Sequence, residues 1–160
     1  MISTATRVQY ATGYIALGLL DQAEAELAAI PSEDRELPDV LAAQAGLAMA
    51  AKRWTDVVGL ARRLTEVEPA DVQGWVWWAY ALREMQQIRE ARSVLLQVEA
   101  IHGDDHAVVS YNLACYYCLL GEIDTARRYL SKACKMDPSF KESLATDPDL
   151  EGLRADIAKS

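Results

Sequence analysis

Two clusters in this sequence carry side chains that chemistry uses. Cys115 and Cys118 form a C-x-x-C pair, and His102-Gly103-Asp104-Asp105-His106 places four potential metal ligands in five residues. Redox use of a dithiol needs a thiol of lowered pKa, commonly at a helix N-terminus. Cys115 and Cys118 fall in the middle of a helical pattern, so they read as structural residues filling packing positions. A zinc site needs four ligands, and beyond this pair only Cys134 and two histidines exist. The HGDDH stretch reads as a turn with polar caps that would catch a metal only adventitiously. No serine, histidine and acid grouping, glycine-rich phosphate loop or zinc signature appears. The expectation is a non-enzyme with no cofactor and no resident metal.

The elements that position these residues announce themselves by an echo. LLDQAEAEL, RWTDVVGLA, QIREARSVL and GEIDTARRYL are versions of one phrase. In each, an apolar residue (Leu20, Trp54, Ile88, Ile123) is followed three positions on by a small one, then four further on by Leu27, Ala61, Leu95 or Leu130. The small residues Ala23, Val57, Ala91 and Ala126 recur at intervals of 34, 34 and 35 residues. A helix-forming repeat near 34 residues signals stacked helical hairpins. Ahead of each echo lies another helix, whose packing face is Arg7, Tyr10, Ala11, Tyr14 in the first unit and Leu41, Gln44, Ala45, Ala48 in the second. The third has Trp75, Trp78, Ala79, Leu82 and the fourth Ser110, Leu113, Ala114, Tyr117. The recurrent alanine lets antiparallel helices approach while large neighbours interdigitate.

Gly18 and Gly121 end first helices where a left-handed residue is cheapest. Lys52 and Gln86 hold the same phase without glycine, so those turns are expected to close differently. Thr55–Asp56 and Asp124–Thr125 are read as polar starts of second helices. Breakers mark unit boundaries at Pro31, Pro38, Pro69, Gly103 and Pro138. The tail breaks the period: a short helical piece, then Asp147–Pro148 opening a helix in which Leu150, Leu153 and Ile157 recur. It reads as a cap over the last hairpin.

Composition bounds the partners. The chain has 160 residues, 51% hydrophobic, and a net charge of −8. That length suits one domain. Neither half is basic, so phosphate-backbone binding lacks its driving force, and an anionic membrane surface is disfavoured likewise. RNA-reading helical repeats share a similar period, but this acidity argues against them. No apolar run is long enough for membrane insertion, and the opening MISTATRVQYATGY has no secretory pattern. Three cysteines in helical pattern suit a reducing cytoplasm better than a disulfide framework. Arg62–Arg63 and Arg127–Arg128 read as solvated outer faces with weak ion pairs.

The repeat resembles the tetratricopeptide repeat, whose signature is W-x₂-L-G-x₂-Y, then A-x₃-F, then P. The third unit has Trp75-x₂-Trp78-Ala79-x₂-Leu82 and Ala91-x₃-Leu95; the fourth adds Leu113-Ala114-x₂-Tyr117, Gly121, Ala126-x₃-Leu130 and Pro138. The second is the most worn, with Gln44, Ala48, Val57 and Ala61, and the first has Arg7 in place of the large opening residue. The resemblance implies an all-α, right-handed α-solenoid of four antiparallel helix-turn-helix repeats, about 5–37, 38–71, 72–106 and 107–138, with a C-terminal capping helix over about 139–160.

It also implies a concave groove lined by the first helix of each hairpin, which in that family holds peptides or partner domains. The matching positions are Val8, Gln9, Thr12 and Ile15, then Ala42, Ala43, Gly46 and Met49. The third unit supplies Val76, Trp77, Tyr80 and Arg83, and the fourth Tyr111, Asn112, Cys115 and Cys118. A small-residue floor beside Trp77, Tyr80 and Tyr111 suits an apolar anchor or a short helix. Family members that grip a chaperone's C-terminal carboxylate use groove cations and asparagine; the matching places here are Val8, Thr12, Ala43, Gln73 and Trp77, so that function is not expected. In chemistry the groove looks more like those of secretion chaperones. The expected partner is therefore a protein or peptide. The alternative is that the aromatics pack on the chain itself, or that the repeat self-associates as a homo-oligomer through its groove or ends.

Overall fold

The computed structural model describes all 160 residues, with helices throughout and no strand. The chain divides into two compact units, Met1–Met85 and Gln86–Ser160.

Unit 1 holds α1 (Thr4–Ala16), α2 (Leu20–Ala28), α3 (Pro38–Ala50), α4 (Trp54–Val67) and α5 (Gln73–Glu84). Ser3 caps α1, its hydroxyl accepting the Thr6 N–H at 3.2 Å. Pro38 opens α3, where its missing N–H costs nothing. Ala11, Ala23, Leu27, Val40 and Leu47 form one buried cluster. Ala48, Val57 and Ala81 form a second, with Met49, Trp54 and Trp77 packed on it. The small residues that recur in phase are the packed ones: Ala11, Ala23, Val57 and Ala61 are all fully buried. Between α4 and α5 the spacer is Gly74. A Cβ there would meet Ala61 O and Thr65 N, each at 3.2 Å.

Unit 2 holds α6 (Ile88–His102), α7 (Ala107–Leu119), α8 (Ile123–Met136), α9 (Phe140–Thr146) and α10 (Glu151–Lys159). Helix α7 is apolar almost all round because it is buried on most sides. Helix α8 is amphipathic, burying Ala126, Leu130 and Ala133. In the tail, Pro148 opens a 3₁₀ turn (Pro148–Leu150) rather than α10 itself. The Asp147 carboxylate caps that turn by accepting the Asp149 N–H at 2.9 Å. Leu150 and Leu153 are fully buried against unit 2, whereas Ile157 stays exposed.

The hairpin turns correct one expectation. Lys52 (φ 57°) and Gln86 (φ 63°) adopt the same left-handed conformation as Gly18 (φ 74°) and Gly121 (φ 81°). In three of these turns the backbone hydrogen bonds are those of a Schellman motif. Leu19 N donates to Tyr14 O at 2.9 Å, Arg53 N to Ala48 O at 2.8 Å and Glu122 N to Tyr117 O at 2.9 Å. The hydrogen-bonded geometry overrides the side-chain penalty, about 1–2 kcal/mol for a residue with a Cβ. The following helices also start earlier than expected, at Trp54 and Ile123, without side-chain caps. Asp56 and Asp124 sit in their first turns, where the helix dipole favours a negative charge.

Candidate functional site

In unit 1 the expected groove residues lie on α1, α3 and α5. Val8 and Ile15 are half-buried against the first core cluster, while Gln9 and Thr12 are exposed. Ala42, Gly46 and Met49 on α3 are half-buried, and Ala43 is buried. Gly46 has nothing within 4 Å of an added Cβ, so the face of α3 is open there. On α5, Val76 is buried, and Trp77 and Arg83 are half-buried. Trp77 packs against the second core cluster. Tyr80 remains 41% exposed. Its ring meets the edge of Trp54, with centroids 5.8 Å apart and planes at 67°. Trp54 reads in the sequence only as a packing residue; no periodic signal shows its ring reaching Tyr80. The result is an aromatic shelf, with Trp54 and Trp77 half-buried and Tyr80 exposed, in the unit that also carries the gap at Gly46.

Unit 2 departs from the expected groove. Tyr111 is 8% exposed and Cys115 3%; Cys118 is buried and Asn112 half-buried. The cover is the chain's own tail. Phe140 of α9 stacks on Tyr111 with centroids 4.5 Å apart and planes at 13°. The Tyr111 hydroxyl donates to the Asp147 carboxylate, and the Cys115 thiol lies 3.8 Å from the same oxygen. Tyr111 and Cys115 therefore do not line an open surface. Phe140 and Asp147 lie outside the repeat phase, which is why the period does not flag them.

The chemistry of this corner follows from burial. Desolvation, then the negative charges of Asp147 and Asp149, pushes the Cys115 thiol well above its usual range. Desolvation and the bond to Asp147 do the same for the Tyr111 hydroxyl, and burial raises Cys118. A thiol held protonated is a poor nucleophile and a poor metal ligand. Cys115, Asp147 and Asp149 have ligand atoms within 4.8 Å of one another. Both oxygens of Asp147 are already engaged, one by Tyr111 and the other by the Asp149 N–H. In the HGDDH stretch, Lys132 donates to the Asp104 carboxylate at 2.6 Å, which holds Asp104 below the usual carboxylate range. His106 Nε2 lies 3.6 Å from Asp105.

The arginine pairs are partnered on the surface. Arg63 bonds Glu36 at 2.5 Å and Glu66 at 2.7 Å, Arg127 bonds Asp156 at 2.5 Å, and Arg62 lies 5.3 Å over the ring of Trp78. Unit 1 also has a cleft of about 610 Å³ lined by Leu27, Leu47 and Leu60, with Arg53 and Glu24 paired at 3.3 Å on its rim. No helix is long and apolar enough to cross a membrane.

No family model and no curated protein matches the chain. Solved structures do. The crystal structure of MamA protein superposes with a TM-score of 0.75 at 18% identity, covering 98% of this chain and 86% of that one. TTC0263, a thermophilic TPR protein in Thermus thermophilus, gives 0.72 at 20% identity over 98% and 89%. YrrB, described as a TPR protein with an unusual peptide-binding site, gives 0.68 at 11% identity over 98% and 86%. The likeness shows the fold: an all-α helical-repeat fold like that of TTC0263 and YrrB, both described as TPR proteins.

Proposed function

We propose that this chain is a protein-interaction scaffold that holds an apolar or helical peptide segment against α3 and α5 of unit 1. The observation that carries the reading is the open face at Gly46, in the same unit as the aromatic shelf of Trp77, Tyr80 and Trp54. A gap of that kind takes an apolar anchor, and the shelf offers the flat aromatic area on which binding energy concentrates. Ala42 and Met49 on α3 and Val8, Thr12 and Ile15 on α1 extend the same set of positions. The tetratricopeptide-type fold supports an interaction role, and YrrB is a neighbour described with a peptide site. The residues with catalytic potential are taken up by structure: Cys115 is buried beneath the tail, and Asp104 is paired with Lys132. A net charge of −8 makes a nucleic-acid backbone a poor partner.

The test selects peptides from a display library on the immobilised chain, then measures their affinity through tryptophan fluorescence. Selected peptides should carry apolar anchors at helical spacing. Gly46→Phe, which fills the gap from an unobstructed position, should weaken them at least tenfold, and Tyr80→Ala should weaken them several-fold. Unchanged affinity in both variants would place the site elsewhere.

A further inference from the structure

Helix α1 has a stripe that nothing in the chain covers. Tyr10 is 48% exposed and Leu17 74%, and Gly13 between them has nothing within 4 Å of an added Cβ. Positions 10, 13 and 17 share one helical face. The repeat phase makes Tyr10 a packing residue, and its equivalents show on what. Gly13 corresponds to Leu47 and Ala81 in unit 1 and to Tyr116 in unit 2, all buried. Tyr10 corresponds to Trp78, whose ring lies under the Arg62 guanidinium of α4, in the preceding hairpin. Tyr10 and Gly13 thus hold the positions at which, in unit 1, a hairpin meets the one before it; on α1 they are bare, and Leu17, whose equivalents Ala51, Met85 and Leu120 are exposed or half-buried, extends the stripe.

Charge, area and shape say what covers it. Helix α1 carries one charged residue, Arg7, already bonded to Glu26 at 2.9 Å. In a chain of net charge −8 this is a surface on which two copies meet with little repulsion. The corresponding end of the repeat run offers α1 no bare stacking face. In unit 2 the tail has closed it, with Leu150 and Leu153 fully buried and Glu151 and Lys159 exposed on α10. The like surface that remains is the stripe itself. Its shape is self-complementary: a residue without a side chain, flanked three positions before and four positions after by a large apolar one.

We propose that the chain forms an isologous dimer in which α1 packs antiparallel on α1 of a second copy, crossing at Gly13. In that register Tyr10 of each copy lies beside Leu17 of the other, as two-fold symmetry requires. One helix face offers less than the about 800 Å² per partner of a standard interface, so the dimer is weak and forms only as concentration rises. The stripe lies on the side of α1 roughly opposite Val8, Thr12 and Ile15, so the dimer does not depend on the peptide site.

Sedimentation velocity over a concentration series tests this on the whole chain. A monomer–dimer equilibrium is expected. Leu17→Glu or Tyr10→Lys alone should weaken it at least tenfold with an unchanged melting temperature. Mixing the two variants should restore association, because the antiparallel register sets the introduced carboxylate against the introduced ammonium. In a Cys134→Ser background, Gly13→Cys should oxidise to a covalent dimer, and Gly59→Cys, equally open, should not. Gly46→Phe should leave association unchanged, which separates this proposal from the peptide site. A monomer at every concentration, a dimer indifferent to both charged variants, or equal crosslinking by the two cysteine variants would overturn the proposal.

Discussion

Tyr80 and Cys115 occupy the same position in successive repeats, yet one is 41% exposed and the other 3%. The first belongs to unit 1, where α3 is open at Gly46. The second belongs to unit 2, where Phe140 and Asp147 lie over the corresponding helix. Repeat phase decides which way a residue points. It does not decide what lies on that residue. Unit 2 supplies its own occupant, an aromatic ring laid flat on Tyr111 and a carboxylate accepting from its hydroxyl. Unit 1 has the same kind of surface without a tail to lie on it.

The largest test of that difference removes the anchor of the tail. Leu153 is fully buried, so Leu153→Ala should cost about 2–5 kcal/mol in urea unfolding. The same change at exposed Leu17 should stay within about 0.5 kcal/mol. With the tail loosened, Cys115 and Cys118 should alkylate faster at neutral pH. Equal shifts for the two variants, with no gain in thiol reactivity, would mean that the tail does not close unit 2.

Alkaline pH sharpens the contrast next. Tyr111, Cys115, Cys118 and Tyr129 have their pKa values raised, burial being the first cause in each. All four lie in unit 2. The folded state binds these protons more tightly than the unfolded chain does, so their contribution is complete below the unfolded values. It is lost as pH rises past about 9, where unfolded thiols and then phenols ionise. Tryptophan fluorescence reads only unit 1, since Trp54, Trp75, Trp77 and Trp78 all lie there. Amide exchange in α7 and α9 should therefore accelerate above pH 9 before the tryptophan signal moves. Simultaneous loss of both would erase the distinction.

How much of this was legible follows from what a period can encode. The spacers Ala23, Ala91 and Ala126 are fully buried, because the echo records helix packing directly. The tail was recognisable as a cap from Leu150 and Leu153, which keep helical spacing. Its effect on Tyr111 was not, because Phe140 and Asp147 belong to no repeat position. Tyr10 sits in packing phase but is 48% exposed, because phase records which way a residue points and not what lies on it. Gly74 gave no signal either: its role is to let α5 approach the backbone of Ala61 and Thr65. Gly74→Leu should therefore cost about 1–3 kcal/mol by overpacking, with the tryptophan signal of unit 1 shifting and Cys115 alkylation unchanged. A loss of protection around Cys115 instead would mean that unit 1 strain is carried into the closed corner.

The smallest effect concerns a feature the two units share. Each has one turn closed by glycine, Gly18 or Gly121, and one closed by a residue with a Cβ, Lys52 or Gln86, all at positive φ. A Cβ in that conformation costs about 1–2 kcal/mol, while glycine adds about 0.5–1 kcal/mol of unfolded-chain entropy. The net leaves Lys52→Gly and Gln86→Gly each stabilising by about 0.5–1 kcal/mol, and Gly121→Ala destabilising by about the same. Because the strain is divided evenly, relieving it should raise the urea midpoint without altering Cys115 alkylation or the exposure of Tyr80. If Lys52→Gly is instead neutral or destabilising, its side chain makes contacts that offset the backbone cost. The two kinds of turn would then differ in more than conformation. If the predicted gain appears with thiol reactivity unchanged, the turns are not the source of the contrast between the units, and the tail over Tyr111 and Cys115 remains to carry it.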